Sequence, residues 1–206
     1  MVGVVRFDRE AVLDRACRVF WQHGYDGTSI QDLETATGLG RGSLYNAFGD
    51  KAALFRTVLA RYGETEGAVP LGALDDPDVF TGLSRMLHTI IERMSAPDRP
   101  RGCLMTNTCT IGGGGILTET QMINTIRTME SLLEAAFTRA LDQGQLAAAT
   151  NPLQLSRFYC GVVLSLGVMH RALGDCATLH DIIVVALSKW PRPDPDRDDR
   201  LFTAGV

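Results

Sequence analysis

Thr28-Ser29-Ile30-Gln31-Asp32-Leu33-Glu34-Thr35-Ala36, a break at Gly38, then Leu39-Gly40-Arg41-Gly42-Ser43-Leu44-Tyr45-Asn46-Ala47-Phe48: this stretch decides the fold. It reads as two short helices about a glycine-containing turn, which is helix-turn-helix spacing. Thr28 or Ser29 caps the first helix, and Thr28 with Gln31 has capping-box spacing. The second helix begins near Gly40 and ends at Phe48. Ile30, Leu33, Leu39 and Leu44 fall where they can lock the pair against Phe20 of a preceding helix, residues 8–22. Arg41, Ser43, Tyr45, Asn46 and Lys51 are left to face outward. The second helix of such a pair enters a major groove about 12 Å wide, and the first crosses the backbone. Arg and Lys neutralise phosphates, while Ser, Tyr and Asn bond to phosphates or bases. Gly42 lets the helix start approach DNA closely. The competing reading is an ordinary three-helix unit in which Tyr45 and Phe48 are core aromatics.

Outward from this stretch the signal stays helical, with apolar residues three and four apart. Asp50 caps a fourth helix, Lys51 to about Tyr62. Residues 63–77 read as a connector or weak helix. Further helices are expected at 77–94, 103–111, 117–142, 152–173 and 177–190, with the glycine run 112–115 as a break. The last two are apolar on more than one side, so they must be buried on more than one side. A subunit interface over residues 152–190 explains this, and a larger intrachain core is the alternative. Ile182–Val185 alone resembles a strand without a partner. Residues 191–206, with Pro191, Pro193, Pro195 and several Asp, read as a disordered tail. The expected architecture is all-α: a DNA-binding unit over 1–62, a helical effector-binding and dimerisation unit over 63–190, and the tail.

Composition excludes several classes. The 206 residues carry 20 bases and 24 acids, so a strongly basic nucleic-acid coat is absent from the total. Divided at residue 62, the charge is +1 before and −5 after. Only the N-terminal unit needs to meet DNA. The longest uncharged apolar run, about 160–169, is short of the ~18–20 residues of a membrane span. Charges from Arg6 onward leave no signal-peptide core. Five cysteines without a CxxC pair argue against a disulfide scaffold or structural zinc, and the expected setting is reducing and cytoplasmic.

The full string, from Thr28-Ser29-Ile30 through Gly38-Leu39-Gly40-Arg41-Gly42-Ser43-Leu44-Tyr45-Asn46-Ala47-Phe48-Gly49-Asp50-Lys51 to Leu54-Phe55, resembles the TetR (tetracycline-repressor-like) family of bacterial transcriptional regulators. The resemblance covers residues 8–62 in detail and the remainder only in layout. It implies that Thr28 and Ser29 open the second helix and contact phosphate. It implies that Arg41, Gly42, Ser43, Tyr45 and Asn46 belong to the recognition helix and that Lys51 starts the fourth helix at the DNA backbone. Gly40 stands where Ser or Thr often caps the recognition helix, and Ala47 where His or an aromatic often precedes Phe. A dimer of such units places its recognition helices about 34–36 Å apart, on a near-palindromic double-stranded operator.

The resemblance further implies a repressor released by a small-molecule effector bound among the middle helices. The candidate lining is apolar: Met86, Met105, Met122, Met129, Phe137 and Phe158, with Asn107 and Tyr159 as polar partners. Met suits adaptable pockets, yet a Met stripe at helical spacing is also plain core. Cys103 follows Arg99, Pro100, Arg101 and Gly102 and opens a helix, and both features favour a thiolate. Arg101-Gly102-Cys103-Leu104 is similar to a segment in one branch of the family, some members of which use such a cysteine to sense oxidants or electrophiles; Cys109, six residues on, is either a resolving partner or irrelevant. The bland alternative is a packing cysteine. A helical-bundle enzyme is the reading from another class. The chain lacks HExxH, paired Glu-x-x-His, GxSxG, P-loop and GxGxxG signatures, so no catalytic residue, metal or cofactor is expected.

Overall fold

The computed structural model describes residues 7–111 and 115–193, with the side chains of 109–119 outside that description. The first and last residues of the chain, the glycines at 112–114, the Cys109 thiol and the tail beyond 193 therefore lie outside it. Within it every element is helical, and the fold is all-α.

The N-terminal helices are short, and each end has a visible cause. Asp8 caps α1 (Arg9–His23) by accepting from the amides of Glu10 and Ala11. Ser29 caps α2 (Ile30–Thr37): its hydroxyl accepts from the Asp32 amide, and the Asp32 carboxylate accepts from the Ser29 amide. The capping box thus belongs to Ser29 and Asp32, one residue later than the Thr28–Gln31 spacing suggests. Thr28 is turned inward, 1% exposed, and its hydroxyl donates to the Gly24 carbonyl at 2.6 Å. Gly38, at φ 74°, ends α2 in the left-handed conformation that lets the chain turn into α3 (Arg41–Phe48). Asp50 caps α4 (Lys51–Tyr62).

The expected connector is helical from residue 63 to residue 75 and extended only at its end. A π-type turn (Gly63–Gly67), a single turn α5 (Ala68–Leu71) and a 3-10 turn (Gly72–Asp75) carry the chain onward. Glu66 on this segment pairs with Arg93 at 2.6 Å and Arg99 at 2.5 Å, which ties it to the body. Then follow α6 (Val79–Met94), α7 (Leu104–Ile111), α8 (Gly115–Asp142), α9 (Pro152–Leu173) and α10 (Cys176–Ser188).

Two hydrophobic clusters result. One joins Leu83, Met86, Leu87, Ile91, Leu133, Phe137, Tyr159, Leu166, Ile183 and Trp190 in the body. The other gathers Phe20, Leu33, Leu39, Leu44 and Phe55 of the head, and it also takes in Leu104, Met105 and Met122 from α7 and α8. The head core is completed by body residues. One further expectation needs correcting. Helix α9, 22 residues long with a mean hydropathy of 1.2 over an 18-residue stretch, is long and apolar enough to cross a membrane by length and composition. Counting only the uncharged run missed it, because Arg157 and Arg171 sit near its ends. Its inner face, including Tyr159, Val162, Leu166 and Gly167, is buried in the body.

Candidate nucleic-acid interface

Helix α3 is built to present one face. Leu44 and Phe48 turn inward, 2% and 7% exposed, onto the head core. Arg41, Gly42, Ser43 and Asn46 are exposed on the opposite side. Tyr45 is half-buried, with the Arg41 guanidinium 5.2 Å from its ring centre. The helix start has no side-chain cap of its own, since Gly40 occupies that position. Glu34 of α2 takes over: its carboxylate accepts from the Arg41 amide at 2.5 Å. Sequence reading missed Glu34, although a capless glycine before a helix is itself a signal to look for a remote acceptor. The bond fixes α3 against α2, and an anion at a helix N-terminus is favourable.

Two other fasteners hold the surface from behind. Arg9 donates to the Ala47 carbonyl at 3.0 Å and lies over the Phe48 ring. Arg15 donates to the Thr37 carbonyl at 3.1 Å. Both tie α1 to the ends of the helix pair.

The remaining expected contacts divide. Ser29 is exposed at the start of α2. Its hydroxyl and amide hold the Asp32 carboxylate below the ordinary range, so that position stays charged. Thr28 is a correction: buried and bonded to Gly24, it offers no hydroxyl to a phosphate. Lys51 begins α4 as expected, but its ammonium donates to the Thr28 carbonyl at 2.6 Å and rests 4.3 Å from the Tyr25 ring centre. Half-buried, it fixes the turn before α2 as much as it faces outward.

The expected effector lining is not one surface. Met86, Phe137 and Tyr159 are fully buried in the body core, where the Tyr159 hydroxyl donates to the Ala186 carbonyl at 3.0 Å. Met129 packs against that core. Met105 and Met122 belong to the head cluster instead. Asn107 is 1% exposed and donates to the carbonyls of Trp21 and Arg101, joining head to body. Phe158 is 46% exposed on the outer face of α9. Met86, Phe137 and Tyr159 have no solvent-accessible surface at all, so they wall no open space, and none of the eight lines the cavity or the cleft described below. In the body, Met86, Met129 and Phe137 pack into one core with Tyr159.

Cys103 precedes α7, its carbonyl accepting from the Asn107 amide at 2.8 Å. Its half-buried thiol accepts from the Tyr62 hydroxyl at 3.4 Å. The nearby Arg99 guanidinium is bonded to Glu66. The candidate partner, the Cys109 thiol, lies outside the described residues.

A helix pair locked from behind, with a polar and cationic face on the second helix, defines a helix-turn-helix protein. Residues 12–58 match the family model described as "Bacterial regulatory proteins, tetR family". The chain is 31% identical over 194 residues to the HTH-type transcriptional repressor ComR of Escherichia coli, covering 90% of each. It is 30% identical over 188 residues to the uncharacterized HTH-type transcriptional regulator YezE of Bacillus subtilis, covering 88% of this chain and 95% of that one. A solved structure of the TetR family regulator CifR, a cysteine mutant complexed with 26-bp double-strand operator DNA, superposes with a TM-score of 0.85 at 31% identity. That match covers 92% of this chain and 100% of the other. The chain belongs to the TetR family of transcriptional regulators.

Proposed function

We propose that this chain is a homodimeric transcriptional repressor that reads a palindromic operator through α3 and is released by a small-molecule effector. Residues 1–62 act as the reading head, 63–190 as the effector-binding and dimerisation body, and the whole works in the cytoplasm. The observation that carries the reading is the outward face of Arg41, Gly42, Ser43 and Asn46 on a helix fastened at both ends. The relatives named as repressors, and the operator complex of the structural neighbour, support it. Arg41 and Asn46 are the side chains suited to base edges, and Ser29 and Ser43 suit phosphate. Lys51 adds positive charge at the start of α4.

The dimer reading rests on α9 and α10. Phe158, Val168, Leu173, Val184 and Val185 are 42–63% exposed on these two helices. Apolar side chains in such a group mark an interaction surface. A second copy of the same two helices would cover them, which is the isologous arrangement of a twofold dimer.

The test is selection of bound duplexes from a random DNA pool, followed by titration of the selected site at several salt concentrations. A palindromic site should emerge, with affinity falling steeply as salt rises. Recovery of no enriched sequence at low salt would overturn the reading.

A second reading is favoured by one contact. The Cys103 thiol sits against the Tyr62 hydroxyl, where the end of the head meets the start of α7. Oxidation or alkylation there would enlarge the sulfur against a buried aromatic and disturb that junction. Under this reading, peroxide or an electrophile releases the DNA. Cys103→Ser that still releases DNA on such treatment would exclude it.

A further inference from the structure

We propose that the cleft between α1 and the α6–α7 loop binds a small amphipathic carboxylate, its ring-sized apolar body in a cavity and its anionic group on arginines at the mouth. A cavity of about 250 Å³ lies where head meets body. Its apolar walls are Leu13, Cys17 and Trp21 of α1 with Val58 and Tyr62 of α4. Burial pushes the Cys17 thiol up to about 12, so that wall is neutral. Trp21 is 5% exposed, and its buried indole N–H has no acceptor among the described residues. The volume is below the ~300–1,000 Å³ of drug-sized sites, which limits the ligand to about a single ring.

The charges around this cavity are not balanced evenly. The acids on its walls are already held: Asp14 by Arg61, and Glu66 by Arg93 and Arg99. An adjoining open cleft shares Arg18, Arg99 and Pro100 with the cavity and adds Arg101 and Arg171, against a single acid, Asp98. Arg18, Arg101 and Arg171 have no carboxylate partner among the described residues. Arg18 donates to the Asp98 carbonyl at 2.8 Å and Arg171 to the Gln22 carbonyl at 3.0 Å. Each such bond uses one of five guanidinium N–H groups and leaves the charge uncompensated. Three arginines from α1, the loop and the end of α9 therefore line the open cleft that adjoins the part-apolar cavity, the Arg101 guanidinium resting on Gly174. A carboxylate accepts from guanidinium groups with two oxygens, and an attached ring fits the space behind them.

This site is separate from the filled body core where sequence reading placed the effector. Its coupling to DNA rests on the repressor reading; its binding chemistry does not. The walls belong to both head and body, and Arg18–Asp98 and Arg171–Gln22 are among the bonds that set their mutual angle. A ligand inserted there shifts that angle and weakens operator binding, by about 5- to 150-fold for an ordinary coupling.

Titration calorimetry on the full chain at fixed ionic strength tests the site, with benzoate, salicylate, phenylacetate and cyclohexanecarboxylate as probes. At least one should bind once per chain with a Kd below about 1 mM, its neutral amide at least about tenfold more weakly, and acetate not measurably. The Arg101→Gln/Arg171→Gln double variant should lose at least about tenfold in affinity. Cys17→Leu, which fills the cavity without touching the arginines, should lose binding too and stands in if the double variant does not fold. The proposal is overturned if all four acids fail, if the amide binds as well as the acid, or if the substitutions leave affinity unchanged. DNA binding is measured on the same preparations. A chain that binds DNA but no acid sinks the site alone, and one that binds the acid but no DNA sinks the repressor reading alone.

Discussion

The head and the body are both helical, yet they are specified in different ways. Head helices run 8 to 15 residues, and Asp8, Ser29, Gly38 and Asp50 fix their ends through bonds to residues two to four positions away. Body helices run up to 28 residues, and their positions depend on Leu83, Phe137, Tyr159 and Ile183 meeting across long sequence separations. The head leaves a polar face outside, whereas the body leaves apolar ones: Val184 and Val185 are 63% and 59% exposed. Local specification gives one rigid shape, which groove reading requires. Long-range specification gives a surface that another chain can complete.

The largest expected effect tests whether the two parts are thermodynamically separate. Phe20 is fully buried, 4.7 Å from the Phe55 ring centre, in a cluster that also holds Leu104 and Met105 of the body. Phe20→Ala should cost about 3–5 kcal/mol, and Phe137→Ala in the body about as much. Because body residues complete the head core, denaturant unfolding should remain a single transition in both variants. Two separated transitions for Phe20→Ala would break the picture of a shared core.

The next effect belongs to the recognition face. Arg41→Ala should weaken binding to the selected operator by about 1–3 kcal/mol, the scale of a lost base contact. The melting temperature should barely move, since Arg41 is exposed. Arg9→Ala is the control from behind the face. It removes the bond to Ala47 and the contact with Phe48, so stability should fall along with DNA affinity. Equal changes in stability for both variants would mean that α3 is not divided into a reading side and a fastening side.

The contrast also explains what could be read in advance. Asp50 and Gly38 were legible because each acts within one turn of its own position, and the inward Leu33 and Leu44 because of their helical spacing, whereas Asp8, read as part of the first helix, proves to be its cap. The capping box was placed one residue early because Thr28 and Ser29 are chemically alike. Which of them turns inward depends on Gly24 and Tyr25 across the turn. The effector set was not legible for a related reason. Met86, Phe137 and Tyr159 at helical spacing predict burial equally well for a cavity wall and for a packed core, and here the space between them is filled. The arginine-lined cleft gave no sequence signal at all. Arg18, Arg101 and Arg171 lie far apart in the chain, and only the packing of α1 against the α6–α7 loop and the end of α9 brings them together.

Thr28 and Ser29 supply a direct comparison of smaller size. Ser29→Ala removes the hydroxyl that accepts from the Asp32 amide and should cost about 0.5–2 kcal/mol in stability. If Ser29 also meets a phosphate, the salt dependence of DNA binding stays the same, because a neutral hydroxyl displaces no counterion, while affinity drops. Thr28→Ala should cost about 0.5–1.5 kcal/mol through the bond to Gly24, with no change in affinity beyond that instability. A Thr28→Ala protein of normal stability that binds DNA poorly would return Thr28 to the interface and contradict its burial.

The smallest effect lies at the seam between the two regions and is read from pH. His170 of α9 is 5% exposed, and its Nδ1 accepts from the Gly102 amide at 3.0 Å, so the ring is neutral and holds its proton on the other nitrogen. Burial, together with the positive charge of Arg101, keeps its pKa below the ordinary imidazole value of 6.5. The unfolded chain therefore takes up more protons than the folded one as pH falls below 6.5, and stability declines with acidification from that point. Glu66 acts in the same direction lower on the scale. Its burial works against ionisation, but the bonds from Arg99 and Arg93 prevail and hold the carboxyl below 4.5. Its stabilisation is complete above 4.5 and disappears as pH falls through its lowered folded value. Denaturation midpoints measured from pH 7.5 to 3.5 should thus show a shallow decline starting near 6.5, followed by a steeper one below 4.5. His170→Asn, which keeps an acceptor for Gly102, should remove the first decline and leave the second, and Glu66→Gln should keep the first and shrink the second to the share of Asp32 and Asp175, whose carboxyls are also held below 3.8. A first decline that survives in His170→Asn would place the titrating group elsewhere and leave the seam without its pH-sensitive bond.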